Sequence, residues 1–343
     1  MAVERIESVD QLEDLLSEPT PGVVEALGRL QGDILVLGAA GKMGPTLARM
    51  ARRGSDAAGV RRRVIGVSRF SSPGEEPRLQ ARGVETIRCD LLDQAALERL
   101  PDVPNVVYMA GMKFGSTGQE ALTWAMNTYL PGMVCNRFRK SRIAAFSTGN
   151  VYGLSPVALG GARETDSLNP AGDYALSCLG RERIFEHFSR ALNIPVSMLR
   201  LNYATEMRYG VLVDVAQKVL TGQPVELPVG HFNSIWQADA NAMALCSLEH
   251  ASTPPFVVNI AGPETLSVRD VAQKFSQKFG KPVTFTGHEG ADAYISNGQL
   301  GHRLFGYPRV SVGQMIAWIA DWVQRGGASL GKPTHFETRD GKY

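Results

Sequence analysis

Short apolar runs, each followed by a polar or glycine-rich turn, recur between residues 34 and 199. The first run, Ile34–Leu37, is continuously apolar, which is typical of a strand buried on both faces of a parallel sheet. Helical stretches separate most of the runs and begin with residues 46–53. This alternation predicts an α/β fold, a doubly wound parallel sheet of the Rossmann type. Five further strands are predicted at 64–67, 85–87, 105–109, 143–146 and 196–199.

Two short helices are predicted ahead of this sheet. Ser8 has a side chain suited to cap a helix over 11–16, and Thr20, followed by proline, has the N-cap pattern for a helix over 23–30. Residues 1–31 therefore form a predicted N-terminal helical extension. It either braces the core or contacts another subunit, and the brace is favoured.

The spacing of strand-like segments becomes irregular in the second half of the chain. This change predicts a dinucleotide-binding domain over 32–202 and, over 203–325, mainly a smaller substrate-binding cap. Within that cap region, residues 231–260 are expected to return to the sheet domain. Residues 326–343 form a predicted polar C-terminal tail, in which 326–331 have a flexible composition and the remainder is polar but contains an apolar Phe336.

Composition narrows the function classes. The chain has 343 residues, of which 44% are hydrophobic and 20% charged, and 36 Lys and Arg against 34 Asp and Glu leave a net charge of +2. This balance argues against nucleic acid or an anionic membrane as partner. No apolar run approaches the roughly 20 residues that span a bilayer, and the acidic, amphipathic N-terminus does not resemble a signal peptide.

Cysteine and histidine spacing argues against other site types. The four cysteines lie far apart without a CxxC pair, so neither a disulfide scaffold nor a zinc ribbon is expected. The six histidines show no HExxH or HxH spacing, and we predict no metal site. These observations indicate a cytoplasmic protein.

A glycine pattern lies between the first predicted strand and the helix after it. Gly38, Gly41 and Gly44 have GxxGxxG spacing and enclose Lys42 and Met43. Glycines allow the backbone to turn tightly and approach a pyrophosphate, which then binds at the helix N-terminus. The pattern predicts NAD(P) binding, although a tight strand–helix turn without a ligand would have the same spacing.

The end of the second strand bears on the choice between NADP and NAD. An acidic residue there would bind the ribose hydroxyls, but this chain has Ser68 and Arg69. A hydroxyl and a guanidinium suit the 2′-phosphate of NADP better than a diol. NADP is therefore favoured over NAD, with a solvated surface role for Arg69 as the alternative.

Several later motifs, taken together with the glycine pattern, resemble those of one family. They follow the predicted strands or lie in the helices between them, and no one of them is specific alone. They are Asp90-Leu91, the AGMK motif at 110–113, Asn127, the STGNVYG motif at 147–153, Tyr174 and the NIAGPETLS motif at 259–267. Over about residues 33–325 the chain resembles the extended short-chain dehydrogenase/reductases, the NAD(P)-dependent epimerase/dehydratase family, especially the UDP-glucose 4-epimerases.

The resemblance implies roles for individual residues. Asp90 would hold the adenine amino group, Leu91 would line the adenine site, and Lys113 would lie near the nicotinamide ribose. Thr148 occupies the position of the substrate-binding Ser or Thr, and Tyr174 that of the catalytic tyrosine. A phenol near a nicotinamide can take a hydroxyl proton while hydride leaves the same carbon.

Other residues join this predicted site. Ala110 and Gly111 lie in the cofactor-binding loop after the fourth strand. Asn127 is expected to support that loop by hydrogen bonds to its backbone, with an ordinary helix position as the alternative. Asn150 and Asn202 are predicted substrate contacts. Two long helices, over 124–139 and 174–190, pair subunits in relatives, so the resemblance implies a homodimer.

The chain departs from the family pattern at the catalytic helix. The family has YxxxK, whereas Tyr174 is followed at that spacing by Cys178. A free tyrosine has a pKa of about 10, so about one part in a thousand is phenolate at pH 7. Either Lys113 and the oxidised nicotinamide supply the missing positive field, or Tyr174 is not a strong base. Small-residue packing is the favoured role of Cys178.

A second departure concerns the substrate. Relatives that use nucleotide sugars clamp the diphosphate with two arginines, but this chain has Phe232 near the first place and no arginine in the segment 287–296. Bidentate guanidinium–phosphate pairing is hard to replace, so a nucleotide-diphosphate substrate is disfavoured. Arg208 is a candidate for binding a carboxylate or sugar phosphate, or forms an ordinary ion pair. Trp236 lines a sugar pocket or packs in the core.

These observations predict an enzyme of the epimerase/dehydratase or reductase type. It would use NAD(P) to transfer hydride at a carbinol carbon of a sugar, sugar acid or polyol. The alternative is a catalytically weak NAD(P)-binding sensor or interaction protein of the same fold, because the family lysine is replaced. An RNA-binding role has little support at a net charge of +2.

Overall fold

A parallel sheet of seven strands forms the centre of the molecule. The computed structural model describes residues 3–113 and 118–341. The strands lie in the order β3-β2-β1-β4-β5-β6-β7, so the direction of winding reverses between β1 and β4. Their bounds are β1 Ile34–Leu37, β2 Val64–Ser68, β3 Glu85–Arg88, β4 Asn105–Tyr108, β5 Arg142–Thr148, β6 Val196–Leu201 and β7 Phe256–Ile260.

The sheet confirms the predicted doubly wound α/β fold. In β1 all four residues are buried, and Ile34 pairs in parallel register with Val64 on one side and Asn105 on the other. This burial on both faces explains why the strand is continuously apolar. The seventh strand, β7, was not among the six predicted strands. It lies within the region that was expected to return to the sheet, and Phe256 pairs with Ser197 of β6.

Helices cover both faces of the sheet and form most of the cap. One of them, predicted over 46–53, is longer than expected, since it begins at Gly44, the last glycine of the glycine-rich loop, and continues to Ala57. Their bounds are α1 Val9–Leu16, α2 Pro21–Arg29, α3 Gly44–Ala57, α4 Glu75–Ala81, α5 Gln94–Glu98, α6 Glu120–Trp124, α7 Leu130–Arg137, α8 Gly172–Leu192, α9 Val211–Thr221, α10 Gln237–Cys246, α11 Val268–Phe279, α12 Gln299–Phe305 and α13 Val312–Gln324.

The N-terminal extension braces the sheet domain. Ser8 Oγ accepts a 3.1 Å hydrogen bond from the Gln11 amide, and Thr20 Oγ1 accepts one of 3.1 Å from the Val23 amide, which confirms both predicted caps. The helices α1 and α2 pack on α3, where a Cβ on Gly54 would lie 2.9 Å from Leu27 Cδ1. The extension is thus packed on the protein's own core, as the favoured interpretation held.

The helix predicted over 124–139 is interrupted. A wide π-helical turn, Ala125–Tyr129, separates α6 from α7. Pro131 follows this turn and has no backbone N–H to continue the hydrogen-bond ladder, so the helix cannot run on regularly. The turn places Asn127 with its side chain fully buried.

In the region predicted to be the cap, α9, α11 and α13 pack on one another, with two-residue strand pairs around them. Trp236, in one of these pairs, joins it to the main core. Residues 326–333 of the tail are exposed or partly buried, whereas Thr334, Phe336 and Gly341 are buried. Phe336 is 1% exposed, because its ring packs against Phe232 in the cap. Residues 342 and 343 of the tail lie outside the described residues.

Among the described residues, no helix has both the length and the apolar character needed to cross a membrane.

Candidate active site

The glycine-rich loop joins β1 to α3 at the carboxyl edge of the sheet, beside β4. Gly38 has a φ of +87°, and a Cβ here would lie 2.8 Å from the backbone nitrogen of Ala110. At Gly44 a Cβ would lie 2.5 Å from the carbonyl oxygen of Ala39. Glycine is therefore required at both positions, since a side chain would collide with backbone atoms.

The first turn of α3 offers backbone donors to an anion. Met43 is the N-cap residue, and no side chain of the described residues caps this helix. Gly41 is exposed on the outer side of the loop. Amides at a helix N-terminus bind a pyrophosphate by hydrogen bonds and by the helix dipole. Together with the close backbone approach at Gly38 and Gly44, this edge of the sheet fits a dinucleotide.

Lys42 extends from the loop towards the cap. Its Nζ lies 3.2 Å from the centroid of the Tyr209 ring and donates a 3.4 Å hydrogen bond to the carbonyl oxygen of Ala204. Burial holds the pKa of Lys42 well below its usual value, and the nearby Glu206 carboxylate acts in the opposite direction. This predicted cofactor-binding side chain also joins the loop to the segment after β6.

The ends of β2 and β3 carry the residues predicted to meet the adenosine part of the cofactor. Ser68 is partly buried, and Arg69 is exposed to solvent. Asp90 is exposed, and its Oδ1 accepts a 3.1 Å hydrogen bond from the Leu92 amide, whereas the side chain of Leu91 is buried. All four predicted residues follow neighbouring strands at the same edge of the sheet as the glycine-rich loop.

Asn127 holds the loop after β4. Its Oδ1 accepts a hydrogen bond from the Met112 amide, and its Nδ2 donates one to the Met112 carbonyl oxygen, each 2.9 Å long. Nδ2 also donates to Ser177 Oγ of α8 at 3.0 Å. These contacts confirm the predicted backbone support of the loop, which includes Ala110 and Gly111. Contact of these residues with a cofactor stays a prediction.

A buried arginine that the sequence analysis missed completes this cluster. Arg181 is 6% exposed, and it donates to Asn127 Oδ1 at 2.6 Å and to the Phe146 carbonyl oxygen of β5 at 2.8 Å. It approaches Gly111 so closely that a Cβ there would collide with the guanidinium. In the sequence, this residue could have been recognised as an arginine that follows Cys178 by three positions, about one helical turn.

The structure brings Tyr174 and Lys113 together. Tyr174 lies in the first turn of α8 and is partly exposed. The Nζ of Lys113 lies 5.6 Å from the centroid of the Tyr174 ring and 6.0 Å from that of Tyr203. Burial lowers the pKa of Lys113 to about 8. At neutral pH its ammonium group therefore stands beside the predicted catalytic tyrosine.

Cys178 does not take the place of the family's lysine. The side chain is fully buried and belongs to a small apolar cluster with Val151, Tyr152 and Ala162. Burial raises the pKa of its thiol, while Arg181 and a hydrogen bond with Tyr174 lower it. A buried, protonated thiol carries no charge, so the packing role is the one that fits.

Thr148 ends β5 and caps the short helical turn Gly149–Tyr152. Its Oγ1 accepts a 3.2 Å hydrogen bond from the Asn150 amide and donates one of 3.0 Å to Asn150 Oδ1. Both side chains are buried. A Cβ on Gly149 would lie 2.7 Å from Ser296 Oγ of the cap. The sheet edge and the cap therefore meet directly at the predicted substrate-binding residues.

Asn202, the residue after β6, and Ser296 of the cap also lie at this meeting point. Asn202 Nδ2 donates to Asn233 Oδ1 at 3.3 Å and to the Tyr294 carbonyl oxygen at 3.1 Å. Ser296 Oγ is buried without a hydrogen-bond partner among the described residues. A buried hydroxyl without a partner is unfavourable, so Ser296 is a candidate for a substrate contact that the sequence analysis missed.

A buried ion pair fixes the strand ends behind Thr148. Arg200 of β6 pairs with Glu182 of α8 at 2.8 Å, and both side chains are less than 8% exposed. Ser147 Oγ donates to Glu182 at 2.6 Å, and Arg200 also donates to the Tyr152 hydroxyl at 2.8 Å. Removing one partner of such a pair leaves an uncompensated buried charge, so these residues hold β5, β6 and α8 in place.

Arg208 and Trp236 have structural roles where substrate contacts were predicted. Arg208 pairs with Glu206 at 3.1 Å and with Glu13 of α1 at 3.2 Å, so its charge is already matched. Trp236 is 2% exposed, and its ring centroid lies 5.6 Å from that of Trp318 in α13. Arg208 thus forms an ordinary ion pair and Trp236 packs in the core, which were the alternatives considered for these two residues.

All four cysteines are free and buried. Within residues 3–113 and 118–341, no group of three or more His, Cys, Asp or Glu side chains is arranged to hold a metal ion.

The sequence matches a family model over residues 34–235, more than half of the chain, and that model describes the NAD dependent epimerase/dehydratase family. No curated protein matches the chain significantly.

Solved structures with a similar fold include two sugar-nucleotide epimerases. UDP-glucuronic acid 4-epimerase from Bacillus cereus, in complex with NAD, superposes with a TM-score of 0.71 at 21% identity, covering 85% of this chain and 99% of its own. UDP-glucose 4-epimerase from Thermus thermophilus, in complex with NAD, has a TM-score of 0.68 at 19% identity and covers 86% and 99%. At this identity the likeness shows the shared fold.

Replacing Gly38 by Ala tests the glycine cradle. The added Cβ would collide with the Ala110 backbone, so we expect NAD(P) affinity to fall by about tenfold or more and stability to fall by about 1–3 kcal/mol. Isothermal calorimetry and urea unfolding measure the two effects. Gly59→Ala is the matched control, because Gly59 also has a positive φ, of +68°, but no atom lies within 4 Å of its Cβ position. Unchanged cofactor affinity in Gly38→Ala would contradict the assignment.

Proposed function

The chain belongs to the NAD-dependent epimerase/dehydratase family, and we propose that it catalyses epimerase, dehydratase or reductase chemistry on a sugar, sugar acid or polyol with NAD(P). One observation carries this proposal. Ala110, against which the glycine cradle packs, and Lys113, which lies beside Tyr174, belong to the same short loop. A dinucleotide held by the cradle would therefore reach the residues suited to proton transfer.

The residues proposed to hold the cofactor lie along the carboxyl edge of the sheet. When bound, the nicotinamide accepts a hydride from a carbinol carbon or returns one to a keto carbon. The proposed contacts are Gly38, Gly41, Lys42, Met43 and Gly44 for the pyrophosphate, Asp90 and Leu91 for the adenine, and Ala110, Gly111 and Lys113 around the nicotinamide ribose. Asn127, whose buried amide group is bonded within the protein, positions the loop that carries these last three residues.

Tyr174 is the proposed base and acid at the reacting carbon. Its phenolic oxygen takes the proton of the substrate hydroxyl, and Thr148 orients that hydroxyl by a hydrogen bond. The ammonium group of Lys113 favours the phenolate, because an adjacent positive charge lowers the pKa of a phenol. Asn150, Asn202 and Ser296 are the further proposed substrate contacts, where the cap meets the sheet.

NADP is the proposed preferred form of the cofactor. This proposal is supported by the residues at the end of β2, where Ser68 is the last residue and the exposed Arg69 follows it. A guanidinium such as that of Arg69 can pair with the 2′-phosphate of NADP. The solved structures named above contain NAD.

A homodimer in the cytoplasm is the proposed state of the protein. Apolar side chains are exposed on the surface formed by α6, α7 and α8, with Leu122 43%, Tyr129 64% and Leu176 42% exposed. A groove of about 600 Å³ between these helices is lined by Met133, Ile184 and Phe188, among others. Exposed apolar patches of this kind mark contact surfaces. Four free, buried thiols suit a reducing compartment.

Turnover of a carbohydrate panel tests the proposed chemistry. We expect one of the sugars, sugar acids or polyols to change the absorbance of bound nicotinamide. Tyr174→Phe should lower that rate by a factor of about 10²–10⁴ while the cofactor affinity stays within about twofold. Tyr307→Phe is the control, because Tyr307 is 68% exposed on the surface. Cofactor binding without any substrate-dependent change across the panel would favour the sensor alternative, and full turnover by Tyr174→Phe would remove its proposed role.

The pKa of Lys113 predicts a pH dependence. Its ammonium group is present below a pKa of about 8 and is lost as the pH rises through that value. We therefore expect kcat/KM to decline above pH 8. In Lys113→Arg that decline should disappear, since a guanidinium keeps its proton in this range. The profile is measured between about pH 6 and 10 with cofactor saturation checked at each pH. A wild-type decline that persists unchanged in Lys113→Arg would contradict the role of Lys113.

Arg69→Ala tests the preference for NADP. Loss of the guanidinium should weaken NADP binding by about tenfold or more and leave NAD binding within about twofold. Arg61→Ala, at an exposed cation ahead of β2, is the matched control. Equal effects on the two dinucleotides would remove the proposal.

Sedimentation tests the dimer. The wild-type chain should sediment at twice the mass of one chain, and Tyr129→Arg should shift it towards the monomer, because a charge in an apolar interface is unfavourable. Leu304→Arg, at a side chain 41% exposed on α12, should leave the dimer intact. A monomeric wild-type protein would disprove the assignment.

A further inference from the structure

The chain beyond α13 crosses the cap in an ordered path. Thr334 donates to Asp214 Oδ2 of α9 twice, from Oγ1 at 2.6 Å and from its amide at 2.8 Å. Two residues on, Phe336 is 1% exposed with its ring centroid 6.1 Å from that of Phe232, which is fully buried. A polar anchor and an apolar anchor therefore fix this segment to the cap.

Arg339 makes the next contact. Its Nη2 pairs with Asp292 at 2.7 Å, and its Nη1 donates to the Pro228 carbonyl oxygen at 3.1 Å. The carbonyl oxygen of Arg339 accepts a 3.4 Å hydrogen bond from the Tyr294 hydroxyl. The backbone of Tyr294 in turn accepts the hydrogen bond from Asn202 described above. The segment is thus linked through one residue to a proposed substrate contact.

Gly341, the last described residue, packs against the start of α8. Gly341 is buried, and a Cβ on Gly172 would lie 2.5 Å from its carbonyl oxygen. Gly172 begins α8, and Tyr174 follows two residues later. The segment therefore touches the protein on both sides of the proposed site, at Gly172 beside Tyr174 and at Tyr294 beside Asn202.

This path also covers the two places where arginines suited to a diphosphate are missing. Phe336 lies on Phe232 at the first place, and Arg339 is paired with Asp292 within the segment 287–296 at the second. An aromatic pair offers no hydrogen bonds to a phosphate. The charges of Arg339 and Asp292 match each other, so this ion pair presents no free cation to a phosphate.

We propose that residues 332–341 form the outer wall of the substrate site and restrict it to small carbohydrates that carry no nucleotide. This inference rests on the proposed function and assigns its substrate class. The segment's own side chains occupy the outer side of the proposed site, between its contacts at Gly172 and at Tyr294. An attached nucleoside diphosphate would have to extend through this side, whereas a free sugar, sugar acid or polyol would not.

Two variants remove or loosen the wall formed by residues 332–341. One chain ends at Gly331, and the other carries Phe336→Ala with Arg339→Ala, which removes the apolar anchor and the contacts of Arg339 without shortening the chain. Ser329→Ala is the control, because within residues 3–113 and 118–341 this exposed side chain accepts a hydrogen bond only from the nearby Gly331 amide. NAD(P) affinity, measured by calorimetry, should stay within about twofold in all three, since the wall lies outside the glycine cradle.

Hydrogen exchange and ligand binding then test the inference. In both opened variants the amides of residues 172–176 and 292–296 should exchange about tenfold faster or more, and KM for a free sugar should rise about tenfold. Uridine diphosphate should neither bind to the intact chain nor inhibit it. Unchanged exchange in both segments would show that the segment is not a wall, and turnover of a UDP-sugar by the intact chain would overturn the assigned substrate class.

These readouts separate the two proposals. If no carbohydrate is turned over, the proposed function fails, while hydrogen exchange and uridine diphosphate binding still decide whether the wall exists and excludes a nucleotide.

Discussion

One buried guanidinium organises the candidate site. Arg181 lies in the interior of the protein, where an unpaired charge would be strongly unfavourable, so its hydrogen bonds to Asn127 and to the Phe146 carbonyl must be kept. Asn127 in turn holds both backbone groups of Met112. The loop after β4, the π-helical turn, α8 and β5 are therefore coupled through one cation. Lys113 follows Met112 directly, and its position beside Tyr174 depends on the same cluster.

This coupling offers a physical reason for the cysteine at position 178 of α8, where the family pattern has a lysine. A lysine at position 178 would place a second cation next to Arg181, whereas the buried thiol adds no charge and fills space in an apolar cluster. The positive charge near the phenol then comes from the loop after β4. Burial lowers the pKa of Lys113 to about 8, so this charge is lost as the pH rises through that value. The guanidinium of Arg181 on α8 keeps its proton in the same range.

The cap and the termini are integrated with the sheet domain by polar contacts rather than by one apolar interface alone. Arg208 joins the segment after β6 to α1 through Glu13, and Thr334 joins the tail to α9 through Asp214. Asn202, Asn233 and Ser296 line the boundary between the cap and the sheet edge. Because such groups are unfavourable when buried without partners, they specify how the cap sits on the site.

The sequence by itself determined the doubly wound sheet, both N-terminal caps, the glycine cradle and the support of the β4 loop by Asn127, because each depends on local pattern or short-range hydrogen bonding. Tertiary structure alone decided which cations meet Tyr174, that Arg208 and Trp236 are used in an ion pair and in the core, and where the tail runs. Those outcomes depend on contacts between residues far apart in the chain, such as Phe336 with Phe232 and Gly341 with Gly172. The composition of the tail shows that it is mostly polar, but it does not reveal which few side chains anchor the tail to the cap.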